Sequence, residues 1–235
     1  MTISLLGAWL EGSMHVTEAG ANRMFVVVLP IEGSGSVDHR PSAITYGGQG
    51  LTQRVAISRA VGSLFTRVEL WTLMEAGIAL GADDNVIITW TPNTPSGTRF
   101  HTFHGFYSGV NQVAPIVASD SATKGNSAGF ITTADIATSA SGYALQACST
   151  PSENITYTHV NGFSEQISNV LGDGVVGGSV GGRSTAGAAV SPRIDFSFTG
   201  NMASSMVAIS FAPDMISQGP TESAVYGAYL RRRRR

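Results

Sequence analysis

Hydrophobic positions along this chain fall in short runs, separated by Gly, Pro, Asn and Asp, and their spacing is that of strands rather than helices. Phe25-Val26-Val27-Val28-Leu29 is continuous and apolar, which suits a central strand, and Pro30 is expected to end it. Ile44-Thr45-Tyr46 leads into a Gly47-Gly48 turn. Residues 68–73 and 102–107 read as strands, and so do residues 86–90 after the Asp83-Asp84-Asn85 turn cluster and residues 155–160. The clearest alternation comes late. Ile194, Phe196 and Phe198 share one face, and so do Val207, Ile209 and Phe211, so each strand is expected to have one buried and one wet face. Thr199-Gly200-Asn201 between them predicts a hairpin or a Greek-key connection. Helix-like spacing is confined to short pieces, around residues 61–65 and 165–171.

The expected fold class is therefore all-β, an antiparallel sandwich of jelly-roll or lectin-like type spanning residues 1–213. Residues 172–187, GDGVVGGSVGGRSTAG, read as a flexible or covering surface loop. The alternative is a packed loop in which glycine lets another backbone approach closely. No repeat of 20–50 residues stands out. Residues 214–235 read as a C-terminal extension outside the sandwich. Within it, Ala224-Val225-Tyr226-Gly227-Ala228-Tyr229-Leu230 is apolar and β-prone, able to add to a neighbour's sheet edge or to lie along its own domain.

Composition sharpens this picture. Charged residues make up 13% of the 235, and Lys124 is the one lysine, so Ser, Thr, Asn and Gly must supply the polar surface. That is an exterior, β-rich composition and a poor one for surface helices. Net charge is −2, but removing Arg231–Arg235 from the 14 basic residues leaves nine against 16 acidic ones, a body of −7 beside a run of +5. No stretch approaches the length of a membrane span. The first ten residues lack a basic region, and Glu11 cuts the apolar run short, so they do not read as a signal peptide. Exterior composition without an export signal is what virus particles reconcile, since their proteins assemble in the cytoplasm.

The segments Asn22-Arg23-Met24-Phe25-Val26-Val27-Val28, Ile44-Thr45-Tyr46-Gly47-Gly48-Gln49-Gly50-Leu51-Thr52 and Val68-Glu69-Leu70-Trp71-Thr72-Leu73 resemble a β-sandwich module of phage structural proteins and bacterial secreted proteins. In that module an Asn-Arg-hydrophobic strand, a Thr-Tyr-Gly-Gly-Gln hairpin and a Leu-Trp strand follow one another. A Gly-rich segment and a small-residue strand close it, matched here by residues 172–187 and 202–213. The first third of the chain carries the distinctive part. The resemblance implies a jelly-roll, lectin-like sandwich without known catalytic residues, and the arginine run is not part of the pattern.

Candidate chemistry is sparse. His101 and His104 are three apart, which on a strand points them to opposite faces and argues against joint chelation. His15, His39 and His159 read as isolated polar positions. Asp83-Asp84-Asn85 reads as a solvated turn rather than a calcium loop. The glycine spacing of residues 172–177 is a chance match to a dinucleotide loop, since no helical pattern follows. No Gly-x-Ser-x-Gly or His-Glu-x-x-His motif is present. Asn154-Ile155-Thr156 has the letters of a glycosylation site and matters only in a eukaryotic secretory protein. Cys148 sits in an apolar stretch and reads as a buried, inert thiol.

These readings predict a non-enzymatic structural protein of a phage virion, a decoration, head-fibre or tail subunit, that needs no cofactor or metal. Its partners would be further copies of itself and other virion proteins, with no membrane. The expected assembly contacts are Tyr226, Tyr229, Leu230, Arg231, Arg232, Arg233, Arg234 and Arg235, the arginines forking acidic groups of a neighbouring subunit. A solvated run and phosphate contact with nucleic acid are the lesser readings of the arginines. One alternative function is an extracellular, cell-surface filament polymerising by arm exchange. Another is a carbohydrate-binding module using Trp71, Trp90 or Tyr107, although the strand position of Trp90 favours core packing.

Overall fold

Phe25-Val26-Val27-Val28-Leu29 is apolar at every position because the strand it forms is covered on both sides. In the computed structural model, which describes residues 1–34, 39–91, 98–125, 129–151, 155–170, 176–197 and 203–215, it lies in β2 (Met24–Ser34). The even-numbered Val26 and Val28 point into the sandwich interior, while Phe25, Val27 and Leu29 point outward into a second apolar layer. Full burial of such a side chain contributes about 2 kcal/mol.

One main sheet runs β1 (Ser4–Glu11), β9 (Phe103–Ser108), β2, β6 (Leu64–Met74), β5 (Thr52–Val61), with β8 (Arg99–Phe100) alongside the far end of β2. The other runs β10 (Ile116–Lys124), β17 (Ser204–Phe211), β12 (Ala140–Thr150), β15 (Gly177–Ala186), β14 (Ser164–Val170). They face each other across a core that includes Trp9, Met24, Phe103, Tyr107, Leu145 and Phe211. Each outer face is then capped. A sheet of β4 (Gln49–Gly50), β3 (Pro41–Tyr46) and β7 (Val86–Trp90), with α1 (Glu75–Ile78), covers the first main sheet. A sheet of β11 (Gly129–Thr132), β16 (Arg193–Ser197) and β13 (Thr156–His159) covers the second. The protein is an all-β sandwich in four layers. No helix among the described residues is long and apolar enough to cross a membrane.

The two halves of the chain have the same topology. Residues 4–108 build β1-β9-β2-β6-β5 and residues 116–211 build β10-β17-β12-β15-β14, so in each sheet the order is first strand, last strand, second strand, then a hairpin. In each half the chain leaves the main sheet after its second strand to form β3 or β13, and again before its last strand to form β7 or β16. β3 pairs with β7 as β13 pairs with β16. The halves differ in their accessory elements: among the described residues β4, β8 and α1 belong to the first half alone and β11 to the second alone. β11 lies on the outer edge of β16, whereas among the described residues the outer edge of β7 is met by an isolated bridge, Met14 to Asn85, and the Val86 N–H to Ser13 O bond.

Several expectations are corrected. Pro30 does not end its strand, because β2 pairs with β6 from Met24 to Ser34. Its missing N–H falls where the neighbouring ladder is interrupted, between the last β9 pair at Val28 and the first β8 pair at Ile31, and its carbonyl accepts the His101 N–H at 3.0 Å. Ser204–Phe211 is buried at all eight positions, so β17 has no wet face: Met206 and Ala208 lie under the outer elements. β16 does alternate, with Ile194 and Phe196 buried, but it belongs to an outer sheet and forms no hairpin with β17. The two expected helices are strand: residues 61–65 form the β5–β6 hairpin, where Gly62 adopts φ +60°, and residues 164–170 are β14.

The glycine-rich segment is the largest correction. From Gly177 onward it is β15, an interior strand of the second main sheet between β12 and β14, and Gly177 to Gly182 are buried. A methyl group on Gly178 would meet Pro30 Cβ at 2.7 Å and Phe103 Cε2 at 2.9 Å. One on Gly181 would meet the His159 ring, with Cγ at 2.6 Å, and one on Gly182 would meet Tyr143 Cε1 at 2.8 Å. Glycine thus makes a thin strand through which rings from both adjoining layers fill the volume.

Candidate functional site

A groove of about 450 Å³ opens beside β7, lined by Glu11, Gly12, Ser13, Val86, Ile87, Ile88, Trp90, Phe100 and Thr102. The rings of Trp90 and Phe100 lie 4.9 Å apart at one end, both half-buried. Around it, Leu10, Met14, Val16 and Ile87 are exposed by 42 to 63%. Leu10, Met14 and Val16 come from the segment that bridges β7 and Ile87 from β7 itself, and exposed aliphatic side chains of this kind are what contact faces use.

Residues 12–17, which border the groove, are held as a strap. The Gly12 N–H donates to Thr102 O at 3.0 Å, the Val86 N–H to Ser13 O at 2.8 Å and the His15 N–H to Asp84 O at 3.0 Å. Asp84 is not merely solvated turn. Its Oδ1 accepts from the Thr17 N–H and the Thr17 hydroxyl, each at 3.0 Å, and lies 2.9 Å from the Tyr46 hydroxyl. The hydrogen bond from Tyr46, and then those from Thr17, hold the Asp84 carboxyl below its ordinary range, while burial pushes Tyr46 up to about 12. Gly47 is needed at this turn, with φ +55° and a position where a Cβ would sit 2.6 Å from Asp83 O.

Histidines act as struts rather than isolated polar positions. His104 donates Nε2–H to Gly12 O at 3.1 Å, so its Nδ1 accepts from His15 Nδ1–H at 2.9 Å. Burial lowers both from the usual histidine value. His101 faces Glu11 Oε1 at 2.6 Å and Val176 O at 3.1 Å, and Asn169 Nδ2 donates to Glu11 Oε2 at 2.5 Å. His39 is buried against Phe65, with Nδ1 2.5 Å from Thr98 Oγ1. Among the described residues no three His, Cys, Asp or Glu side chains gather to hold a metal ion.

His159 and Ser179 sit at the distance of a nucleophile and its base, 2.7 Å, yet the proton runs the wrong way. Gln146 Oε1 accepts the Arg193 N–H at 2.8 Å and its Nε2 donates to Arg193 O at 3.0 Å, which fixes the amide. The same Nε2 donates to His159 Nδ1 at 2.8 Å. Nδ1 is therefore the unprotonated nitrogen, and Nε2–H donates to Ser179 Oγ. A histidine donating to the serine cannot take its proton. With Ser179 fully buried, the trio is a layer-to-layer tie between β12, β13 and β15.

Cys148 is buried as expected, and burial pushes its thiol well above the ordinary range. Iodoacetamide should leave it unlabelled in the folded protein and label it once guanidinium unfolds the chain. Stoichiometric labelling under native conditions, followed by mass spectrometry, would contradict this burial. Of the candidate glycan-contacting aromatics, Trp71 and Tyr107 are buried. Trp71 donates Nε1–H to Glu69 at 2.6 Å, and Tyr107 accepts from Trp9 Nε1 at 3.0 Å. Only Trp90 reaches the groove. Tyr226, Tyr229, Leu230 and Arg231–Arg235 lie outside the described residues. The groove was not legible in the sequence, because Glu11, Ile87 and Phe100 come from three separated segments. The exposed Ile87 in an otherwise alternating strand was the one available signal.

Comparison with protein-family models, with curated proteins and with solved structures returns no match for this chain.

Proposed function

We propose that the protein is a non-enzymatic structural subunit of a phage virion, a decoration, head-fibre or tail component that works by self-assembly and display on the particle. The observation that carries this reading is the exposure of Leu10, Met14, Val16 and Ile87 on β7 and the segment bridged to it, beside an edge of β7 that no described strand covers beyond Val86. An apolar surface joined to unpaired strand edge is stabilised by covering it, and a second protein surface covers it best. The resemblance of residues 22–28, 44–52 and 68–73 to phage structural modules and the exterior composition point the same way. The buried hydroxyl–imidazole pair, oriented for strutting rather than proton abstraction, adds no pull toward hydrolysis.

Electron microscopy of the purified protein, alone and mixed with phage particles, tests this. Closed oligomers or decorated particles are the expected result. Open helical fibres would favour an extracellular filament, and a stable monomer that decorates nothing would remove the structural reading. A second reading has one observation in its favour: Trp90 and Phe100 flank an open groove that also carries Glu11 and Thr102, the pairing of ring and polar group that sugars use. Glycan-array binding lost on Trp90→Ala would establish it.

A further inference from the structure

We propose that the free edge of β7 is a strand-accepting slot, filled in the assembled protein by residues 224–230 of a second copy, with Arg231–Arg235 set on the acidic end of that edge. This rests on the assembly reading and names the contact that would perform it.

The fold itself supplies the template. In the second half of the chain, the edge of β16 that corresponds to the free edge of β7 is occupied by β11 over four register pairs, from Gly129 opposite Phe196 to Thr132 opposite Arg193. Ile131 of that strand is buried in the outer core, while Phe130 stays outside under Arg193 at 4.0 Å and Lys124 at 5.0 Å. Among the described residues the first half repeats the topology without this strand. Among the described residues its β7 edge is engaged only at the N-terminal end, by the Met14–Asn85 bridge and the Val86 N–H to Ser13 O bond. Beyond Val86 lies the groove, with Ile88 and Trp90 on the β7 side and Phe100 opposite. Among the described residues, a slot that holds a strand in one half is open in the other.

The occupant is chosen by composition, charge and reach. Residues 224–230 are an apolar, β-prone run, with Ala224, Tyr226, Ala228 and Leu230 on one face of an extended chain and Val225 and Tyr229 on the other. Every named strand pair in the described fold is antiparallel. An antiparallel addition to β7 carries the arginines toward Val86, where residues 12–17 already hold the edge, so the run leaves the ladder there beside the exposed Asp83. The −7 body thus meets the +5 run close to the point where backbone pairing would end. A second copy serves better than the same chain. Asp214 is fastened at the Ser4–Ser108 end of the first main sheet, through Gly109 O at 2.7 Å and Asn22 at 2.7 Å. The groove is at the opposite, Glu11–Phe103 end, about 26 Å along an eight-residue strand. Residues 215–223 span about 30 Å when fully extended, so a chain feeding its own slot would be nearly taut, whereas a neighbour's arm meets no such limit.

The test mixes two full-length variants, one carrying Ile87→Cys and one carrying Tyr226→Cys, under mild oxidation. A parallel mixture uses Tyr229→Cys to cover a shifted register. Ile87 is exposed, so its substitution leaves the core intact, and Cys148 is too buried to compete. Cross-strand neighbours lie within disulfide reach. The expected result is a mixed disulfide dimer on non-reducing gels, lost when excess peptide of residues 222–235 is added and reduced when Arg231–Arg235 are replaced by serine. Three results would overturn the slot: no mixed dimer with either partner, a dimer indifferent to the peptide, or a cross-link formed only within one chain carrying both substitutions. Particles still seen by microscopy without the cross-link would remove the slot and leave the structural reading standing. A monomer that decorates nothing would remove that reading by itself.

Discussion

Gly178→Ala should destabilise the protein by about 3 kcal/mol, more than most single methyl additions to a core. The residue lies on β15, where a Cβ would press on Pro30 and Phe103 of the opposing main sheet. Neither neighbour can yield cheaply. Pro30 is a rigid ring in a strand paired on both sides, and Phe103 is fully buried in the central core. Relief has to come from separating the two sheets locally, which forfeits dispersion contacts along the whole seam. Urea unfolding followed by tryptophan fluorescence measures the change. Gly48→Ala is the control, because its Cβ would meet nothing within 4 Å and its φ of +79° leaves only a conformational cost. If the two variants unfold at the same urea concentration, the close approach at Gly178 is not tight.

That contrast explains which parts of the fold the sequence carried openly. β2, β6, β7, β9, β13 and β16 announce themselves through β-branched and aromatic residues, and their assignment follows from pattern alone. β15 sits in the same topological place as β6, yet β6 is LFTRVELWTLM and β15 is GGSVGGRSTA. Glycine has low strand propensity and no side chain to show a buried face, so the segment reads as linker. What makes it a strand lies elsewhere: Tyr143, Tyr157, His159, Pro30 and Phe103 reach into the space its side chains do not fill. The internal repeat is hidden for the same reason. Two halves can share connectivity while exchanging volume between strands, and a search for matching residues does not register that exchange. Ile44-Thr45-Tyr46 and Ile155-Thr156-Tyr157, which run into or lie within the equivalent strands β3 and β13, are the trace that survives. The groove depends on a difference between the halves, the lack among the described residues of a counterpart to β11, and so required the topology to be seen first.

Acidification from pH 7 to pH 4.5 should unfold the protein progressively, with the histidine ties as the cause. Burial holds His159 down to about 4, against an ordinary value near 6.5. A folded-state value below the unfolded one means that the unfolded chain binds the proton more readily. The stabilisation is therefore complete above about pH 6.5 and drains away as the pH falls toward 4, reaching about 3 kcal/mol lost from this group. The geometry agrees with that direction. A proton on Nδ1 of His159 would face the Gln146 Nε2–H, and the amide cannot turn round without losing both of its bonds to Arg193. The His15–His104 pair adds in the same sense, since a second proton would set two Nδ1–H groups against each other. Carboxylates held low by their partners, Glu75 by Arg23 and Asp84 by Tyr46, lose their contribution only below about pH 4.5, so the window between 6.5 and 4.5 belongs to the histidines. Urea midpoints across this window, for the native chain and for His159→Gln, separate the terms. The native chain should lose stability steadily through the window. His159→Gln should start less stable at pH 7 and show a shallower slope, and a slope unchanged from that of the native chain would mean that His159 keeps its proton balance on folding.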